Sequence, residues 1–146
     1  MAGSNGATAT AEIPRELLAA IKPRMLALAA EVAGKIRAAD GGGPGGPGDN
    51  QFRALVHLCR EADIPEELAM YLRYQAGRKA PGSERWRPAD TQAMLGALQQ
   101  LEEEAKERHL PSTPASLLTL YAFFFGYVYW NVKAVGAGGA SRGRRP

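Results

Sequence analysis

The residues best suited to chemistry in this 146-residue chain lie in one short run, YLRYQAGRKAPGSERWR at 71–87. Arg73, Arg78, Lys79, Arg85 and Arg87 face a single acid there, Glu84, and Tyr71, Tyr74 and Trp86 are interleaved with them. A guanidinium presents a fork of donors that matches phosphate oxygens, and an aromatic face stacks on a base or a ribose. The chemistry that fits is non-covalent contact with RNA or DNA. The competing reading is a solvated loop whose tyrosines pack into a core. A second set, Arg53, His57 and Arg60, recurs at spacings of four and three. On a helix these three form a basic rail, separate from the apolar stripe of Phe52, Leu55, Val56, Leu58 and Cys59.

Covalent chemistry has little to work with. His57 and His109 stand in separate elements, with no cysteine or carboxylate at ligand spacing. The one cysteine, Cys59, excludes an intrachain disulfide and a cysteine-built zinc site, and reads as a small buried hydrophobe. No phosphate loop, nucleophile elbow or HExxH is present. The Glu102 to Glu104 run reads as a solvated helix face. The expectation is a protein that binds and does not catalyse, with no cofactor and no metal. Its formal charge of +3 and pI near 9.2 are mildly basic, so the placement of charge matters more than its sum.

The elements that would position these residues read as helices. Residues 1–11 are small and polar, a disordered arm without the basic start and apolar core of a secretory signal, so a cytoplasmic protein is expected. Leu17, Ile21, Met25, Leu28, Val32 and Ile36 then form an apolar helical face opened by Pro14. Pro23 should kink or split that helix. The run at 40–49, DGGGPGGPGD, reads as a flexible linker. Asp49 or Asn50 should cap a helix over 51–62, and Asp63 with Pro65 should start another, through Leu68 and Leu72 to Gly77. A fourth helix begins at Pro88 or Asp90 and carries Met94, Leu98, Leu101 and Ala105. Thr113 and Pro114 open the last helix, which Gly136 should end. No strand is predicted. The expected fold is an all-α, single-domain bundle of about five helices over 12–135, with a basic disordered tail at 136–146.

The last helix, ASLLTLYAFFFGYVYWNV at 115–132, is apolar and aromatic around most of its circumference. Such a helix is central to a bundle or spans a membrane. Ser116, Thr119 and Asn131, with its many polar-tipped rings, suit lipid poorly, so a core helix with a protein-binding side is the reading adopted and no membrane is expected. Tyr74, Trp86, Tyr127 and Trp130 are the aromatic candidates for partner contact, and Lys133 adds a cation beyond them.

The run LRYQAGRK at 72–79 resembles a pattern found in the small subunit of type III-A CRISPR effector complexes, the Csm complex. In that family a helix ends in an aromatic–x–Ala–Gly–Arg-like motif, here Tyr74 to Arg78. An acidic amphipathic helix follows, here 91–108, and then an aromatic helix ending in a Tyr–x–Lys-like sequence, here Phe123 to Lys133. The similarity covers about Asn50 to Val135. The long Gly/Pro linker, the aromatic richness of the last helix and the position of Trp130 depart from the pattern, and leave open a close sister, such as the small subunit of the type III-B (Cmr) complex or of another type III variant. The resemblance implies a non-catalytic helical bundle of an antiviral ribonucleoprotein. Its implied partners are guide RNA, target RNA, the backbone and large subunits, and copies of itself in a filament. Arg78 and Lys79 are the RNA contacts it implies. Arg73, Arg53 and Arg60 follow from the helical reading, with Arg85, Arg87 and Lys133 as further cations. The alternatives are a membrane-anchored small protein and a helical adaptor with no nucleic-acid role.

Overall fold

The apolar circumference of the last helix decides the architecture, because it must be covered on several sides at once. In the computed structural model, which describes residues 13–38, 46–77 and 85–143, five helices do this. They are α1 (Arg15–Ala38), α2 (Asp49–Glu61), α3 (Glu66–Gly77), α4 (Pro88–Glu107) and α5 (Pro114–Gly143). No strand occurs among the described residues. Helix α5 packs on α1 and α2, α1 also packs on α4, and α4 on α3. Leu120, Phe124, Phe125 and Val128 of α5 are fully buried and meet Ile21, Met25 and Leu28 of α1 with Leu55 of α2 in one core. By length and composition Pro114–Ala134 is apolar enough to cross a membrane. Its apolar side is nevertheless the centre of the bundle.

Cross-helix contacts fix the directions. Arg24 pairs with Glu104 while Arg87 reaches the Ile36 carbonyl, so α1 and α4 are antiparallel. The Thr91 hydroxyl donates to the Leu72 carbonyl at 3.4 Å, which sets α3 against α4. Lys133 pairs with Asp49, so α2 runs against α5. Lys22 lies 4.9 Å above the Phe123 ring, with α1 parallel to α5. The bundle therefore has two unlike ends. At the linker end α1 and α3 finish and α2 and α4 begin. The turn end holds the short connections at 62–65 and 108–113.

Helix boundaries follow local chemistry, with corrections to the expected ones. Helix α2 starts at Asp49, and neither Asp49 nor Asn50 caps it; the Gly48 N–H donates to the Gln51 side chain at 3.0 Å. Glu67 accepts the Asp63 N–H at 2.9 Å and so organises the turn into α3. His109 ends α4 in a left-handed conformation, φ 61°, and the Leu110 N–H closes back on the Ala105 carbonyl at 2.9 Å. Thr113 caps α5, its hydroxyl accepting the Ser116 N–H at 3.2 Å. Pro23 does not split α1, which is one helix of 24 residues with the proline ring on its exposed side. Gly136 does not end α5, which continues to Gly143.

Candidate nucleic-acid interface

The predicted cations separate into distinct groups. Arg53, His57 and Arg60 are all exposed along one side of α2, while Phe52, Leu55 and Cys59 of the same helix are buried. A rail beside a core stripe is what the spacing predicted. Among the described residues none of the three is tied to a carboxylate by an ion pair. Lys133 of α5 extends the group at the linker end, where its Nζ lies 3.4 Å from Asp49. The Tyr129 hydroxyl hydrogen-bonds the Asp49 carboxylate, and together with Lys133 and Arg53 it holds that carboxyl below its usual range. The acid at this end of the rail is thus kept ionised and matched.

Arg73 and Tyr74 are exposed on α3, and Arg73 lies over the seam with α4 beside Leu95 and Gln99, away from the α2 rail. Arg85 is half-buried, and its N–H donates to the Gly46 carbonyl at 3.3 Å. Arg78 and Lys79, the two contacts implied by the resemblance, lie outside the described residues, as do 39–45 of the predicted linker and the last residues of the tail.

Two predicted site residues are corrected. Arg87 is 4% exposed and is not presented to phosphate. Its Nε and Nη2 donate to the two carboxylate oxygens of Asp90 at 2.8 and 3.0 Å, and Nη2 also donates to the Ile36 carbonyl at 2.8 Å. Asp90 in turn accepts the Arg87 backbone N–H at 3.0 Å, so one carboxylate caps α4 and neutralises the cation. Trp86, expected at a partner surface, is buried, with its ring edge-on to Phe52 at 5.4 Å. The pair joins the segment that leads into α4 to the first turn of α2, while the Arg87 guanidinium ties the same segment to the end of α1. The linker is corrected along with it. Pro47 is buried, and a Cβ on Gly46 would stand 2.8 Å from Arg87 Nη2, so a larger residue there would press on the guanidinium that Asp90 and the Ile36 carbonyl hold.

The aromatic stripe on α5 is partly as predicted. Trp130 is 64% exposed and Tyr127 half-buried, their ring centroids 5.8 Å apart. The stripe also includes Phe123, 6.4 Å from Tyr127, which the sequence reading did not single out. Its signal was the 123–127–130 spacing opposite the buried Tyr121, Phe124 and Val128.

Between the rail and this helix runs a groove. Two adjoining cavities of about 650 and 640 Å3 share Val56 and Arg60. Arg53, His57 and Arg60 form one wall, and Ala122, Phe123, Gly126 and Tyr129 form the other. Cys59 lines its inner side, and burial pushes that thiol up to about 12, which removes it from nucleophilic chemistry at neutral pH. His109 follows the C-cap of α4 in the left-handed turn while His57 lies on the rail, and no cluster of metal-ligating side chains occurs among the described residues. The surface offers cations, an apolar trough and rings, which are the means of non-covalent recognition. No family model, curated protein or solved structure significantly matches this chain.

Proposed function

We propose that the chain is a non-catalytic, RNA-binding small subunit of a ribonucleoprotein, in the role that its resemblance to the type III CRISPR small subunits implies. The observation carrying this reading is the exposed Arg53–His57–Arg60 rail on a rigid helix, with Lys133 beyond it. Cations held by a helix contact a sugar–phosphate backbone whatever its sequence, as a subunit following a guide–target duplex must. The exposed Tyr127 and Trp130 suit a neighbouring protein subunit, since rings dominate such contacts. The two unlike ends suit stacking of copies head to tail.

The test uses the full chain with its rail neutralised, Arg53→Ala together with Arg60→Ala. Both side chains are exposed, so the fold should persist, which far-UV circular dichroism checks. RNA binding should weaken at every sequence tested, and the salt dependence of log K should become shallower by up to about 2. Arg78→Ala with Lys79→Ala tests the two positions the resemblance adds. Unaltered affinity and slope in both double variants would remove the RNA assignment.

A further inference from the structure

The groove between α2 and α5 has more depth than phosphate contact requires. We infer that it is a pocket for unpaired nucleobases, so that the chain holds single-stranded RNA there, with the backbone on the α2 rail. This inference rests on the RNA-binding reading and adds a second mode for the same rail: a duplex lies along it by its backbone alone, whereas an unpaired stretch also sends its bases into the groove.

Three observations carry it. First, Arg53 and Arg60 lie seven residues apart on one helix, about 10 Å along its axis, close to the rise of about three stacked nucleotides at ~3.4 Å each. His57 lies between them and offers a ring N–H donor, so hydrogen-bond donors line the wall over that length. Second, the trough is built for a flat apolar object. Ala54, Val56 and Ala122 are small or half-buried, Phe123 and Tyr129 supply rings at its two ends, and a Cβ added at Gly126 would meet nothing within 4 Å. Base–aromatic stacking tolerates any sequence because every base has a π-face. Third, the charge is complementary to a polyanion. Two acids line the groove; Asp49 is matched by Tyr129 and Lys133, and Asp63 stands at the turn end, so Arg53 and Arg60 outnumber the one acid left.

Gly126 provides the discriminating variant. Leucine there would project into the trough and leave Arg53, His57 and Arg60 untouched, and replacing a helical glycine that has open space favours the helix. Ala54→Met fills the trough from the opposite wall and is the second variant, with both checked by thermal unfolding. Three probes of equal length are titrated by fluorescence anisotropy: single-stranded RNA, an abasic ribose-phosphate strand, and an RNA duplex. The wild-type chain should bind the single strand roughly tenfold or more tightly than the abasic strand. Both filled variants should lower single-strand affinity to the abasic level and leave duplex and abasic binding unchanged. Equal wild-type affinity for the single and abasic strands would overturn the base pocket while preserving the rail. So would filled variants that keep full RNA binding but no longer join their particle, because the trough would then hold a partner's apolar helix. Failure of the wild-type chain to bind any of the three probes at low salt would instead overturn the RNA-binding reading itself.

Discussion

Arg87 shows how one residue type takes opposite roles within a single short run of cations, two positions from Arg85 and fourteen from the exposed Arg73. Its guanidinium, which the sequence groups with Arg73, Arg78, Lys79 and Arg85, is withdrawn from solvent by Asp90 and the Ile36 carbonyl. The signal for this was present in the Arg87–Pro88–x–Asp90 spacing, because an acid at the third helical position caps the residue before the helix. The long-range partner, a carbonyl fifty-one residues away, had no sequence signal. Removing one member of a buried pair leaves the other charged and unmatched. Arg87→Met should therefore cost about 3–5 kcal/mol in denaturant unfolding. Arg87→Met combined with Asp90→Asn should recover part of that loss, since asparagine still accepts the cap hydrogen bond. RNA affinity of the folded fraction should be unchanged, in contrast to the rail variants. The same contrast separates Trp86 from Trp130: one ring closes the core, the other is exposed on α5, and only packing distinguishes them.

Among the elements, helix existence and apolar faces were legible because the 3.6-residue period repeats over three turns or more. Of the face formed by Leu17, Ile21, Met25, Leu28, Val32 and Ile36, all but the half-buried Leu17 at its start are buried. The rail on α2 was legible for the same reason. Boundaries and breakers were not. Gly136 fails to stop α5 because extending an established helix costs far less than nucleating one. Pro23 is carried within α1 because the core-facing residues on both sides of it, Ile21 and Met25, are anchored. The ring is exposed and its main cost is the missing backbone hydrogen bond. Pro23→Ala should accordingly stabilise the protein by about 1–3 kcal/mol, read as a raised denaturation midpoint at unchanged slope. The groove was invisible at this scale, since Gly126 and Phe123 acquire meaning only when α2 lies beside them.

Across the whole molecule, charge is unevenly divided between the ends. Lys35, Arg37, Arg53, Arg73 and Lys133 are exposed on the half nearer the linker end, and Glu61, Asp63, Glu66, Glu67, Glu103 and Glu107 on the half nearer the turn end. Several turn-end cations are already engaged, Arg24 and Arg108 with Glu104 and Lys106 with Glu102. Opposite charge at opposite ends favours a contact between unlike surfaces, which repeats without closing. If copies stack this way, sedimentation at low ionic strength should show a size that grows with protein concentration. The growth should disappear near 1 M salt, where the screening length is about 3 Å, and in a Glu61→Lys, Glu103→Lys variant. A size independent of both salt and concentration would remove the stacking proposal.

The parallel placement of α1 beside α5 has a consequence for how the chain matures during synthesis. Helices α2, α3 and α4 can each meet a sequence neighbour within a short loop. Helix α1 cannot, because its partners α4 and α5 begin fifty and seventy-six residues after its end. At roughly 5–20 residues per second, several seconds separate the emergence of α1 from that of the surface it must cover. Throughout that interval Ile21, Met25, Leu28, Val32 and Ile36 present an unburied stripe to the ribosome's surroundings. The nascent chain is therefore most exposed to chaperones and to aggregation at its first helix, and folding is completed only when its last helix leaves the exit tunnel.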